Sequence, residues 1–81
     1  MPTVLTIDSF QVRILTNDHE PAHVHVYKDD GEAKIKLGLD DIPPDLILVS
    51  RKMKDKDATR ALEIVLQNNE VLLAKWREIH A

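Results

Sequence analysis

The apolar residues of this chain change period once, and that change limits the fold to a sheet followed by helix. From Thr3 to Leu37 they alternate with polar residues, the pattern of strands that bury one face. After Lys54 they recur at three- and four-residue spacing: Ala58, Ala61, Leu62, Val65, Leu72, Trp76 and Ile79, with no Gly or Pro between them.

The alternating part contains two turn signals, and each sets a register. A two-residue turn at Asp8-Ser9 places Ile7 opposite Phe10, Leu5 opposite Val12 and Thr3 opposite Ile14. A turn at Asp30-Gly31, a favoured hairpin pair, places Val26 opposite Ile35, Val24 opposite Leu37, Tyr27 opposite Lys34 and His25 opposite Lys36. Both ribbons then bring their apolar sides together, whereas a one-residue slip would turn every one of them outward. The opposite face so defined carries Val4, Thr6, Gln11, Arg13, Leu15, His23, His25, Tyr27, Lys34 and Lys36.

Gly38 to Asp45, with Pro43-Pro44 and three aspartates, reads as a loop, and Leu46 to Val49 as a fifth strand or an extended apolar segment. The helical part is predicted as one long helix capped by Asp55 or Asp57, with a break at Asn68 or Asn69 as the alternative, since Gln67-Asn68-Asn69-Glu70 interrupts the stripe. The expected fold is therefore α+β. A four- to five-stranded antiparallel meander packs its apolar face under one long C-terminal helix, in a single domain over 1–81 with sheet from 3 to 50 and helix from 54 to 80. Leu66, Val71 and Leu73 lie off the main stripe, and with Leu46 and Leu48 they form a candidate surface for a homo-oligomer or another partner.

Composition removes several function classes. The 81 residues hold no cysteine, so disulfides and thiolate metal sites are excluded, and the formal charge of −3 argues against nonspecific nucleic-acid binding. The only basic cluster, Arg51-Lys52-Met53-Lys54-Asp55-Lys56 with Arg60, is broken by acids and reads as a solvated face. No basic leader or membrane-spanning apolar run is present in the sequence, so a cytoplasmic location and no membrane partner are expected.

Three histidines carry the candidate chemistry. His23 and His25, two apart on a strand, project to one side with Cα atoms roughly 6.5 to 7 Å apart, and His19 sits in the preceding turn. The histidine face is expected to be open to solvent or covered by a partner. One functional reading is acid–base chemistry on RNA, with His19, His23 and His25 catalytic because an imidazole both takes and gives a proton near neutrality. Arg13, Tyr27, Lys34 and Lys36 would then bind substrate, with no cofactor and no metal. The alternative metal reading needs a third ligand beside His23 and His25, from His19, Asp18 or Glu20. Against both stands the plain possibility that these are ordinary polar residues of a wet sheet face.

The string Asn17-Asp18-His19-x-Pro21-x-His23-Val24-His25, with the opening Met1-Pro2-Thr3, the run Gly31-Glu32-Ala33-Lys34-Ile35 and the ending around Leu73 and Trp76, resembles domain-of-unknown-function family 4160. The resemblance covers nearly the whole chain. Members of that family, small prokaryotic proteins, look like the toxin half of two-gene toxin–antitoxin modules. The resemblance thus implies a toxin silenced by a cognate antitoxin protein, with weight on His19, His23 and His25, and brings no established mechanism. Many members have a second proline at the position of Ala22, a departure that loosens the turn holding His19. The residues leave two activities open: a metal-independent ribonuclease, and a noncatalytic module that binds protein or regulates transcription.

Overall fold

A computed structural model describes residues 3–17 and 19–80. Five strands, β1 (Thr3–Ile7), β2 (Phe10–Arg13), β3 (His23–Lys28), β4 (Gly31–Lys36) and β5 (Asp45–Val49), form one sheet in the order of the chain, every neighbouring pair antiparallel. Two helices follow, α1 (Asp55–Gln67) and α2 (Asn69–Ile79). The α+β meander is thus as expected, and the fifth strand is real.

The first hairpin turns at Asp8-Ser9, both with positive φ (51° and 67°), and pairs Ile7 with Phe10 and Leu5 with Val12. Thr3 pairs with Arg13 rather than Ile14, because the ladder shifts by one residue between Thr3 and Leu5. The third and fourth strands depart further from expectation. Their turn is Asp29-Asp30, with Asp29 at φ 52°, so Val24 pairs with Ile35, Val26 with Ala33, His25 with Lys34 and Tyr27 with Glu32. The slip is two residues, which leaves every side chain on its expected face. Gly31 is thereby a strand residue, not a turn residue.

The apolar face holds Phe10, Val12, Ile14, Val24, Val26, Ala33, Ile35 and Leu37, all buried. Over it lie Ala58, Ala61, Ile64 and Val65 of α1 and Leu72 and Trp76 of α2. Ile64 enters the core, while Leu62 only packs against its margin; so do Leu46 and Leu73, which leaves Leu48, Leu66 and Val71 as the exposed members of the expected surface.

The single long helix is replaced by two. At Asn68 the backbone leaves helical geometry (φ −121°, ψ 17°), and its side-chain amide donates to the Ile64 carbonyl at 2.8 Å. Asn69 then clamps the sheet: Gly38 N–H donates to its Oδ1 at 2.8 Å and its Nδ2 donates to the Gly38 carbonyl at 2.9 Å. An amide that pairs with a distant backbone in both directions is better satisfied there than in a solvated helix turn. Neither aspartate caps α1; Lys54 occupies the cap position, and Asp55 and Asp57 lie in the first turn, where they favour the positive end of the helix dipole. Among the described residues no helix is long and apolar enough to cross a membrane.

Candidate functional site

Alternation along β3 sends Val24 and Val26 into the core and turns His23 and His25 the other way, with ring centroids 5.3 Å apart and nearly perpendicular (68°). The pair is therefore brought together on one face. The face is not open: His23 is 5% exposed and His25 9%. Tertiary neighbours cover the rings. Trp76 lies against His23 (centroids 5.4 Å), and on its other contact stacks on His80 at 3.8 Å.

Each ring is oriented by an acceptor. His23 Nδ1–H donates to the Pro21 carbonyl at 2.9 Å, two residues back along the chain and just after the cis Glu20-Pro21 peptide. His25 Nδ1–H donates to Glu32 Oε2 at 3.0 Å. Since a carbonyl and a carboxylate can only accept, both rings carry hydrogen at Nδ1, and in the neutral ring the lone pair lies on Nε2. Glu32 is itself placed by Ser50, whose Oγ accepts from Glu32 N–H at 3.0 Å and whose N–H donates to the Glu32 carbonyl at 2.9 Å. A carboxylate behind an imidazole fixes the ring's tautomer and orientation.

A surface cleft of about 260 Å³ opens beside the pair, lined by Asn17, His19, Glu20, Pro21, His23, Lys34 and Ile47. His19 is exposed on its rim, and Lys34, opposite His25 in the ladder, supplies a cation. Glu20 Oε1 accepts from Trp76 Nε1–H at 3.3 Å, which ties the cleft wall to α2. Of the expected substrate-binding residues, Lys34 alone lines the cleft. Arg13 pairs with His25 across the ladder, holds its guanidinium 4.7 Å from the centre of the Tyr27 ring and donates to Gln11 Oε1. Lys36 lines a neighbouring hollow with Leu37, Leu39 and Ile42, which shares Glu20 and Pro21 with the cleft. Among the described residues no three His, Asp or Glu converge as a metal-ligand set, and Asp18, one of the alternative ligands, lies outside them.

Glu32 and Trp76 were not predicted as parts of the site, and Glu20, expected there only as an alternative metal ligand, instead accepts from Trp76 on the cleft wall. Glu32 becomes a neighbour of His25 only in the Asp29-Asp30 register, so correct placement of that turn would have exposed it. Trp76 carries no such local signal.

No curated protein and no solved structure matches the chain. Residues 10–77 match the family model described as Domain of unknown function (DUF4160), a span that takes in the histidine string, the sheet from β2 onward and most of both helices. The chain therefore belongs to the DUF4160 family.

Proposed function

We propose that this protein is the toxin component of a toxin–antitoxin module and acts on RNA through the cleft beside His23. The toxin role comes from the family resemblance alone. What supports the chemistry is one observation: two adjacent imidazoles, each with Nδ1–H held by an acceptor, beside a cleft that also holds His19 and Lys34. In the proposed reaction the cleft widens on binding to bring His23 Nε2, which is buried in the unliganded protein, against the substrate; it takes the 2′-hydroxyl proton and the 2′ oxygen bonds to phosphorus. The bond from phosphorus to the 5′ oxygen breaks, that oxygen receives a proton from His19, and a 2′,3′-cyclic phosphate remains. Lys34 offsets the charge that gathers on the phosphoryl oxygens. His25, backed by Glu32, supports the His23 ring.

General acid–base catalysis contributes about 10²- to 10⁴-fold, so His23→Ala should lower RNA cleavage by that factor while the circular dichroism spectrum stays native. Induced in a host, the wild-type protein should arrest growth and the variant should not. RNA cut to cyclic phosphate ends in the presence of a chelator is the expected product. Arrest undiminished in folded His23→Ala would contradict the reading.

The burial of His23 and His25 favours a second reading, a noncatalytic module that binds a protein partner or regulates transcription. Under it, substitution of either histidine alters stability, and purified protein leaves RNA intact.

A further inference from the structure

β5 is an edge strand of unusual character. It is the last strand of the sheet, so one side of its backbone is not engaged by β4. Three of its five side chains are apolar and exposed: Ile47 47%, Leu48 61% and Val49 36%. Edges are ordinarily blunted by charge, proline or a bulge. Leu46 to Val49 contains neither charge nor proline; the devices present are Asp45 as the first residue of the strand, Pro43-Pro44 just before it, and the ladder shift opposite Lys34 and Ile35, which leaves Ile47 as the extra residue.

The charges flanking the strand are sorted by sign. Asp45 is its first residue, Asp41 lies four residues earlier in the preceding loop, and Arg51 and Lys52 lie just past its end, all four exposed. A second copy laid antiparallel against β5 brings each acidic end onto a basic end, whereas a parallel copy would set like against like. We infer that β5 pairs with β5 of a second copy of this chain, antiparallel about a two-fold axis near Ile47, to make one continuous sheet. An axis of that kind is perpendicular to the sheet, so the two copies turn the same face of the sheet to the same side. Ile47 lines the cleft and lies on the pairing strand, which sets the two clefts flank to flank. The inference is independent of the chemistry assigned to the cleft.

One short strand buries less than the ~800 Å² per partner of a standard interface, so dissociation should fall within an ordinary dilution series. Sedimentation equilibrium on the full chain should show a mass moving between 9.3 kDa and twice that value as concentration rises. Leu48→Lys should give the single-chain mass throughout with an unchanged circular dichroism spectrum. The pair Asp41→Lys with Asp45→Lys, and separately the pair Arg51→Glu with Lys52→Glu, should each weaken the dimer about tenfold, since each sets like charges together. All four changes in one chain reverse both ends, and should restore the dimer. Asp40 is left unchanged because its φ of 56° limits what can replace it. A single-chain mass for wild type at every concentration, a dimer indifferent to Leu48→Lys, or a four-fold variant no tighter than either pair would overturn the inference.

Discussion

Trp76→Ala should cost about 3–5 kcal/mol, the range for removal of a buried large aromatic side chain. The indole is 3% exposed, stacks on His80 at 3.8 Å, lies 5.4 Å from the His23 ring and donates from Nε1 to Glu20. A domain of this length has a total stability on the order of 4–12 kcal/mol, so the variant should be close to unfolding at ambient temperature. Trp76→Phe separates packing from the hydrogen bond: it keeps a ring against His23 and loses the donor to Glu20, a loss of roughly 1 kcal/mol. Urea denaturation of the three proteins measures both. If Trp76→Ala lost less than about 1 kcal/mol, the indole would not be buried between His23 and His80 as described.

The second large effect is at Gly31. A Cβ there would stand 2.6 Å from Met53 Cα, 2.7 Å from Met53 Cβ and 2.9 Å from Met53 N, and Met53 is buried in the core. Two of those atoms are backbone and cannot turn aside, so the 50–53 turn must move as a whole. Gly31→Ala should therefore cost about 1–3 kcal/mol by overpacking, and Gly31→Val more. The glycine is needed for space, since its φ is not positive. Asp29→Gly is the matching control: φ at Asp29 is 52°, a conformation glycine adopts without penalty, so that change should leave stability within about 0.5 kcal/mol or raise it. Thermal melts that reversed this order, with Gly31→Ala harmless and Asp29→Gly damaging, would return the turn to Asp30-Gly31.

That contrast explains how far the fold could be read from residues. Asp30-Gly31 has the composition of a favoured hairpin turn, and the chain instead turns one residue earlier because Gly31 must admit Met53, a contact between segments with no mutual signature in sequence. The sheet faces survived because the error was an even number of residues. The helix break was visible as a polar dip, but its cause, the pairing of Asn69 with the Gly38 backbone, joins two distant elements. The site divides in the same way. The shared direction of His23 and His25 follows from strand alternation and was legible. Their burial was not, because Trp76, the Pro21 carbonyl and Glu32 reach them through tertiary packing and through a register that depended on Gly31.

The claim on which the site rests is that both imidazoles hold hydrogen at Nδ1, His23 toward Pro21 and His25 toward Glu32. Long-range nitrogen–proton correlation spectra of labelled protein, recorded where the rings are neutral, report the tautomer of each directly. Both rings should show Nδ1–H, and His25 alone should change environment in Glu32→Gln. An Nε2–H tautomer at His23 would leave no lone pair at Nε2 to take a proton from substrate, and would contradict the account.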